Sequence, residues 1–416
     1  MKLSFGWCAV AASVMALGAS GAQGQSVDDG RYTLSDPFVS VEPEQGVRFQ
    51  ADALIWSRNN SGNAGPIISG PDTFSLNPLS NGYVGGYRVG GSWLIDQNYE
   101  FEGVWTWFSD WTSNASGVLG HAIAFNGGTS STLVDPSGTA NAVNAGTYFR
   151  SIHDAAMDPL ANPTIQNYAF LKKGATATLF SDSQLYDVQA NFKTRISAEQ
   201  PFSFGVGYRN IRLVEETGAD ISGQFGTNDI PGGGNTHNIL TDSALTAHGV
   251  SHLGGAADGF TNTLGSPTQL SLLWNGATAN QLNGVQGTCD AWLLQRGIFT
   301  LEGVFRAGVF YNRMSGTVRE TYAASGGDNS VYGRILSDQR DVVSFASNIG
   351  VNGLFQIYRN CRFRAGYEVM FLTNAAQSGN QQSGVSLNSL GVASYSVQGG
   401  STVILHGARF GLEVLW

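Results

Sequence analysis

The feature that most constrains this chain is an alternation of apolar and polar side chains that recurs along its length. In the segment IFTLEGVFRAGVFYN (298–312), Phe305 and Tyr311 occupy odd positions, whereas Glu302 and Arg306 occupy even ones. A period of two residues places successive side chains on opposite faces of a β-strand. The segment therefore predicts a strand with one apolar face and one face that carries charges.

Ten segments share this alternation and predict ten strands. Within the fifth segment, the alternation holds through Tyr208 and Arg209 and then slips, which predicts a β-bulge. After the N-terminus no run of about 18 or more apolar residues occurs, so no membrane-spanning helix is predicted. The ten segments cover 47–56, 83–95, 99–108, 185–197, 202–214, 284–295, 298–312, 342–357, 361–372 and 402–416.

The connections between the segments alternate between short and long. Four of them contain two to four residues, the length of antiparallel hairpin turns. Short turns at one end and long loops at the other, with both chain ends at the short-turn end, are typical of outer-membrane barrels. The predicted fold class is all-β: an antiparallel up-and-down transmembrane β-barrel of about 10 strands, with short periplasmic turns and long extracellular loops. The long connections are 57–82, 109–184, 215–283, 313–341 and 373–401.

A secreted soluble β-sandwich is the alternative to the barrel. It would bury the aromatic face between two sheets, and its connections of about 70 residues would be unusually long. Aromatic residues at strand ends are typical instead of the girdles that flank a membrane. The side chains predicted to face lipid or to form girdles are Tyr99, Trp105, Trp107, Phe305, Phe363, Tyr367, Phe410 and Trp416.

In a transmembrane barrel the polar face of each strand lines the interior. The same parity then directs nine basic and eight acidic side chains inward, and this near balance predicts ion pairing between neighbouring strands. The predicted lumen-lining residues are Arg48, Asp52, Arg88, Glu100, Glu102, Asp187, Lys193, Arg195, Arg209, Asp290, Glu302, Arg306, Arg362, Arg364, Glu368, Arg409 and Glu413.

The size of the barrel limits what it can transport. Barrels of about eight strands have interiors that side chains fill, so a narrow, gated or plugged lumen is expected here. Small inward residues of the eighth segment, including Ser344, Ala346 and Asn348, could leave a narrow polar path. The loops 109–184 and 215–283 could instead fold inward as plugs or form an extracellular cap.

The N-terminus predicts export. Lys2, the apolar run 3–17 and the small residues that follow are typical of a cleaved secretory signal peptide. The predicted organisation is a signal peptide over 1–24, an N-terminal periplasmic segment over 25–46 and a barrel over 47–416 with large loops at 109–184 and 215–283. The chain has 31 acidic against 22 basic residues, which argues against a nucleic-acid partner.

The sequence does not predict an enzyme. His248 and His252 lack the Glu of a zinc-binding helix, and Cys289 and Cys361 are too few for a disulfide framework and are expected to be free thiols. No catalytic residue, metal or cofactor is therefore predicted. A barrel hydrolase, which would need acidic and histidine side chains to converge at the rim, is the least supported class.

Four stretches resemble the beta barrel porin-7 family: 51–58 (ADALIWSR), 288–312, 362–381 and 403–416. The resemblance implies a bacterial outer-membrane protein of the cell envelope, embedded in outer-membrane lipid. The aromatic C-terminus, Trp416, is similar to the ends of barrels that the barrel-assembly machinery recognises.

The function predicted from the luminal charges and this resemblance is a porin-like narrow or gated channel for small polar solutes or ions. In such a channel Arg306, Arg362, Arg364, Glu302 and Glu368 would set the luminal field. The alternative is a non-conducting surface barrel whose long loops bind a partner or a polysaccharide. The sequence predicts no oligomeric state.

Overall fold

A computed structural model describes most of the predicted strand regions. The predicted signal peptide and the segment up to residue 45 lie outside the described residues. The described residues are 46–59, 68–69, 79, 81–96, 98–120, 123–124, 147–149, 169–171, 174–196, 201–224, 236–240, 246, 250–255, 260–263, 269–325, 329–358, 360–387 and 393–416.

Ten long strands pair in antiparallel order and close into a ring. Each strand pairs with its neighbours in sequence, and the first pairs with the last, so that Ala53 lies opposite Phe410. The predicted fold class is therefore confirmed. The strands are β1 (Gly46–Arg58), β2 (Val84–Leu94), β3 (Tyr99–Phe108), β4 (Thr176–Thr194), β5 (Phe202–Gln224), β6 (Gln269–Arg296), β7 (Phe299–Ser325), β8 (Val331–Tyr358), β9 (Cys361–Ala375) and β10 (Ser401–Leu415).

The two faces of the ring differ in polarity. In β1, Phe49 and Ile55 point outward and are 41% and 47% exposed, whereas Asp52 points inward and is 3% exposed. A soluble protein rarely buries charges while it exposes a band of large apolar side chains. This arrangement is that of a barrel surrounded by lipid, with its polar groups inside.

Several strands continue well beyond the membrane. The strands β5 to β8 contain 23, 28, 27 and 28 residues, whereas a tilted strand crosses a bilayer in about 9–11 residues. Much of the segments predicted as loops at 215–283 and 313–341 is consequently strand, since β5 ends at Gln224 and β6 begins at Gln269. Only residues 326–330 separate β7 from β8.

The predicted bulge in β5 is wrong. The strand pairs with β4 and β6 in continuous register from Gly205 to Ser222. After Arg209, the inner face of the strand becomes apolar, since Ile211 and Leu213 are buried inside the ring. We infer that the outer face of this part of the strand meets water rather than lipid. Polar side chains then become favourable on the outer face and apolar ones on the inner face.

Shorter elements gather at the end of the barrel that carries the long connections. Ser113–Val118 pairs with the first residues of β4, and Ser251–Gly254 pairs with β8. Within the described residues, no helix is long and apolar enough to span a membrane. The remaining elements are Ile68–Ser69, Ile123–Ala124, Thr147–Phe149 and Ala169–Leu171 in one small sheet, the pairs Thr236–Leu240 with Phe260–Thr263 and Val385–Leu387 with Ala393–Tyr395, and the 3₁₀-helix Ser378–Gly384.

Candidate luminal site

The charged side chains that the sequence directs inward lie inside the ring. Fifteen of the seventeen are buried, and the other two, Arg48 and Glu302, are half-buried near the short-turn end. The residues predicted to face lipid lie on the outer surface, where Trp416 is 67% exposed and Trp107 packs beside Tyr87 with ring centroids 5.2 Å apart. The interior charges therefore form contacts with one another rather than with solvent.

One group of these charges surrounds Lys193 of β4. Its Nζ atom lies 3.0 Å from Glu100 Oε1, 3.2 Å from Glu102 Oε1 and 2.9 Å from Asp290 Oδ2. Glu100 and Glu102 lie on β3, which is the neighbour of β4 on one side. Asp290 lies on β6, which is separated from β4 by β5 on the other side. We refer to these four residues as the acidic cluster, because three carboxylates share one ammonium group.

A second group surrounds Glu413 of β10. Its carboxylate lies 3.3 Å from Arg362 Nη1, 2.7 Å from Arg364 Nη1 and 3.8 Å from Arg48 Nε. Strands β1, β9 and β10, which are adjacent in the ring, supply these residues. We refer to the four residues as the basic cluster, because three guanidinium groups share one carboxylate.

Hydrogen-bonded charges also cross the lumen. Arg88 of β2 donates to Glu368 of β9 over 2.7 Å, although β1 and β10 lie between these strands. Arg209 binds Asp187 through two bonds of 2.7 and 2.8 Å, and also donates to Asn348 Oδ1 over 2.8 Å. Asn348 in turn donates to Glu368 over 2.7 Å. The polar path that the small residues of β8 could leave is thus occupied by these side chains.

An apolar layer lies next to these charges, toward the long-connection end. Trp56, Phe108 and Trp111 form its centre, with ring centroids 5.0 and 5.1 Å apart, and Trp111 Nε1 donates to the Trp56 carbonyl over 3.1 Å. All ten strands contribute, and each fully buried member is at most 2% exposed. The layer comprises Leu54, Trp56, Phe108, Trp111, Leu185, Ile211, Leu213, Leu282, Phe310, Ala346, Met370, Leu372, Ala375, Val403 and Leu405, with Val84 of β2 packed against them.

The last residues of β9 and those that follow them enter the barrel on the long-connection side of this layer. Asn374 has a φ of 55°, a conformation that Asn tolerates better than most residues, and stands where the pairing of β9 and β10 shifts register. Asn280 of β6 then holds Ala376 through two bonds of 2.7 Å, one to its N–H and one to its carbonyl. Glu215 accepts from the Ser378 N–H over 3.1 Å. We refer to residues 374–384 as the inserted segment.

The far side of the same connection is also attached to the barrel. The N–H of Val397 donates to Asp338 Oδ2 over 2.9 Å. Burial and the nearby Asp338 raise the pKa of Tyr395 above its usual range, so its hydroxyl stays protonated and donates to Gln381 Oε1 over 2.6 Å. The inserted segment is therefore held by Asn280 and Glu215 near its start and by the Tyr395 hydroxyl at Gln381 near its end.

The inserted segment was not expected from the sequence. The loops 109–184 and 215–283 were the ones predicted to fold inward or to form a cap, whereas the connection 373–401 supplies the inserted segment. The signal that could have identified it is composition, because AAQSGNQQSG (375–384) is rich in Gln, Asn, Ser and Gly and contains no charge. Such side chains satisfy buried hydrogen bonds without the cost of burying an ion.

A small cavity remains between the acidic and basic clusters at the short-turn end. Its volume is about 50 Å³, which holds only a few water molecules. The side chains of Arg48 and Glu302 are 21% and 15% exposed, more than the other ion-paired residues of the lumen, and they mark its mouth. Arg88, Arg306 and Arg409 are among the other side chains that line the cavity.

Other candidate groups form no site in the described part of the chain. No three His, Cys, Asp or Glu side chains there are arranged to hold a metal ion. Cys289 and Cys361 are free thiols. His406 lies within hydrogen-bonding distance of the Tyr367 hydroxyl, 2.6 Å from its Nδ1 atom, and His248 lies outside the described residues.

A closed antiparallel ring with an aromatic outer face and a charged interior defines the class of outer-membrane β-barrel proteins. No protein-family model matches the chain, so the resemblance to the beta barrel porin-7 family is not confirmed. No curated protein matches it either.

Among solved structures, the chain is similar to the outer membrane protease OmpT from Escherichia coli, with 9% identity, 91% of this chain and 99% of that chain covered, and a TM-score of 0.42. It is also similar to the toluene transporter TodX of P. putida (10% identity, 92% of each chain, TM-score 0.18) and to a Pseudomonas aeruginosa FadL homologue (10%, 90% of each chain, 0.24). Similarities this weak carry no functional argument.

Proposed function

We propose that the protein is an integral bacterial outer-membrane barrel that does not conduct solutes and that acts as a membrane-anchored surface protein. The observation that supports this proposal is the apolar layer, to which all ten strands contribute. All of these side chains except Trp111 belong to paired strands, and the backbone of Trp111 is hydrogen-bonded to Ser183 of β4. They therefore cannot leave the lumen unless this pairing is broken. A layer of this kind closes the barrel permanently rather than as a movable gate.

The part of the barrel beyond the membrane supports a role in recognition. Its inner face carries a second apolar core, which includes Leu272, Trp274 and Tyr322. This core gives the long connections a rigid support, and several of them contain paired strands of their own. Binding residues occur preferentially on loops that a rigid scaffold positions. We infer that these extracellular connections bind a partner, either a protein or a polysaccharide.

A gated channel for small polar solutes is the second candidate. The inserted segment favours it, because its residues 376–384 follow β9 and can move without breaking the pairing of β9 with β10. The charges around the cavity at the short-turn end would then form the inner vestibule. This candidate requires a path through the apolar layer as well as release of the inserted segment.

Single-channel conductance in a planar bilayer distinguishes the two candidates. The folded protein, identified by heat-modifiable gel mobility, should be electrically silent. Asn280→Ala, which removes the two bonds to Ala376, should be silent as well. Discrete current steps in Asn280→Ala, absent from the control Asn275→Ala on the outer face of the same strand, would establish the gated channel. Steps in the unmodified protein that change in Arg306→Gln would overturn the closed barrel.

A further inference from the structure

The cavity between the two clusters is electrically bipolar. The acidic cluster lies on β3, β4 and β6, and the basic cluster lies on β9, β10 and β1, which are on the opposite side of the ring. Both clusters line the cavity. A ligand placed between them would therefore meet carboxylates on one side and guanidinium groups on the other.

The neighbouring charges reduce this polarity without removing it. Arg306 Nη2 lies 3.8 Å from Glu102 in the acidic cluster, and Glu302 Oε2 lies 3.6 Å from Arg364 in the basic cluster. When Arg306 and Glu302 are included, the acidic side keeps an excess of one negative charge and the basic side an excess of one positive charge. Arg88 and Arg409, which also line the cavity, are paired with Glu368. Arg48 and Glu100, 3.5 Å apart, form the direct link between the two sides.

One residue on each side of the cavity also has a buried polar atom that lacks a partner. Asp290 Oδ1 on the acidic side and Arg364 Nε on the basic side are buried and form no hydrogen bond with the residues that the structure describes. Asp290 is 6% exposed and Arg364 is 7% exposed. Buried polar atoms are almost always satisfied by protein, water or a ligand. Asp290 and Arg364 themselves line the cavity from its acidic and basic sides.

We propose that this cavity binds a small zwitterion, an α-amino acid of about the size of glycine, from the periplasmic side. The ammonium group contacts the acidic cluster at Asp290, and the carboxylate contacts the basic cluster at Arg364. The cavity volume of about 50 Å³ restricts the ligand to a few heavy atoms. Binding requires no passage through the apolar layer, so the site is independent of whether the barrel conducts.

Binding of glycine to the folded full-length barrel in detergent micelles tests the proposal. Glycine should bind saturably in an isothermal titration, and more tightly than acetate or methylammonium, each of which carries only one of its two charged groups. Equal binding of acetate and glycine would make the cavity an anion site and would overturn the proposal. No saturable binding of glycine would show that the cavity holds water only, with the same consequence.

Two conservative variants locate the site. Asp290→Asn and Arg364→Gln should each weaken glycine binding about tenfold, because each removes one charged hydrogen-bonding group. Glu216→Gln, which removes a carboxylate from the outer surface of β5, should leave binding unchanged. Unchanged affinity in both folded cavity variants would overturn the assignment. If either variant fails the heat-modifiability test for folding, the comparison of glycine with acetate and methylammonium still decides the question.

Discussion

At the residue scale, the position of a side chain along its strand decides whether it meets lipid or the lumen. Phe305 and Arg306 are adjacent in β7, yet Phe305 faces outward and Arg306 is 8% exposed inside the ring. Within the membrane, the environment of a residue therefore depends on the parity of its position in the strand. A charge on the lipid face has no partner to compensate it, whereas an apolar group in the lumen is tolerated where the charges around it keep other partners.

Exchanging the two residue types tests this rule within one strand. Phe305→Arg should prevent assembly, because a charge on the lipid face near the membrane centre costs about 2–4 kcal/mol. Arg306→Phe should still assemble, since Lys193 and Asn191 continue to bind Glu102. Heat-modifiable mobility after refolding into lipid vesicles measures both. The reverse ranking would contradict the orientation of β7.

At the element scale, the long strands continue from the lipid into water, so the solvent on their outer face changes along the strand axis. In the membrane, β5 places Val206 and Tyr208 outside and Arg209 inside; farther along, it places Arg212 outside and Ile211 inside. Successive side chains continue to alternate between the outer and the inner face. Beyond Arg209, however, the outer face carries the polar residues and the inner face the apolar ones. If the apolar face is assigned to lipid along the whole strand, the predicted strand ends too early, and this explains the predicted bulge.

The inserted segment depends on hydrogen bonds from the strands around it. Asn280→Ala removes the partner of the Ala376 N–H and leaves the Ala376 carbonyl with only the longer bond from the Thr278 hydroxyl, 3.3 Å. This loss should destabilise the segment by about 2–4 kcal/mol. Amide hydrogen exchange, followed by mass spectrometry, should then be faster across residues 376–384. Asn275→Ala provides the matched control, because Asn275 lies on the outer face of β6 and bonds to Glu216. Equal exchange in the two variants would indicate that packing alone holds the segment.

At the scale of the whole molecule, contacts across the lumen connect strands that are not neighbours. Arg88 and Glu368 are 280 positions apart in the chain and lie on β2 and β9, with two strands between them. Both side chains are at most 3% exposed. Glu368 also lies 3.7 Å from Arg409, so the pair belongs to a network that spans the interior. Such a network fills the lumen and stiffens the ring.

A double-mutant cycle measures the contribution of this cross-lumen pair. Arg88→Met should lower the free energy of unfolding by about 3–5 kcal/mol, because it leaves the buried Glu368 without its closest cation. Arg88→Met combined with Glu368→Gln should cost less than the sum of the single changes, since the remaining charge is neutralised. Urea unfolding in lipid vesicles, monitored by tryptophan fluorescence, provides the values. Additive effects would show that the two side chains do not interact.

The sequence alone determined the strand order, the closure of the barrel and the direction of the seventeen charges assigned to the lumen. These properties follow from local periodicity and from connection lengths, both of which can be counted in one dimension. The inward position of Arg306 and the outward position of Phe305 are examples, because parity within one strand is sufficient to assign them. Four further buried charges, Arg58, Glu215, Glu320 and Arg334, lay in segments predicted as connections.

Only the tertiary structure decided what fills the barrel. The apolar layer joins Trp56, Phe310 and residues of eight other strands at one height, and that height depends on the register of every strand in the ring. The same holds for the separation of the acidic and basic clusters and for the contact of Asn280 with Ala376, 96 residues away. Such contacts join positions far apart in the chain, so no local pattern in the sequence can encode them, and they exist only once the ring has closed.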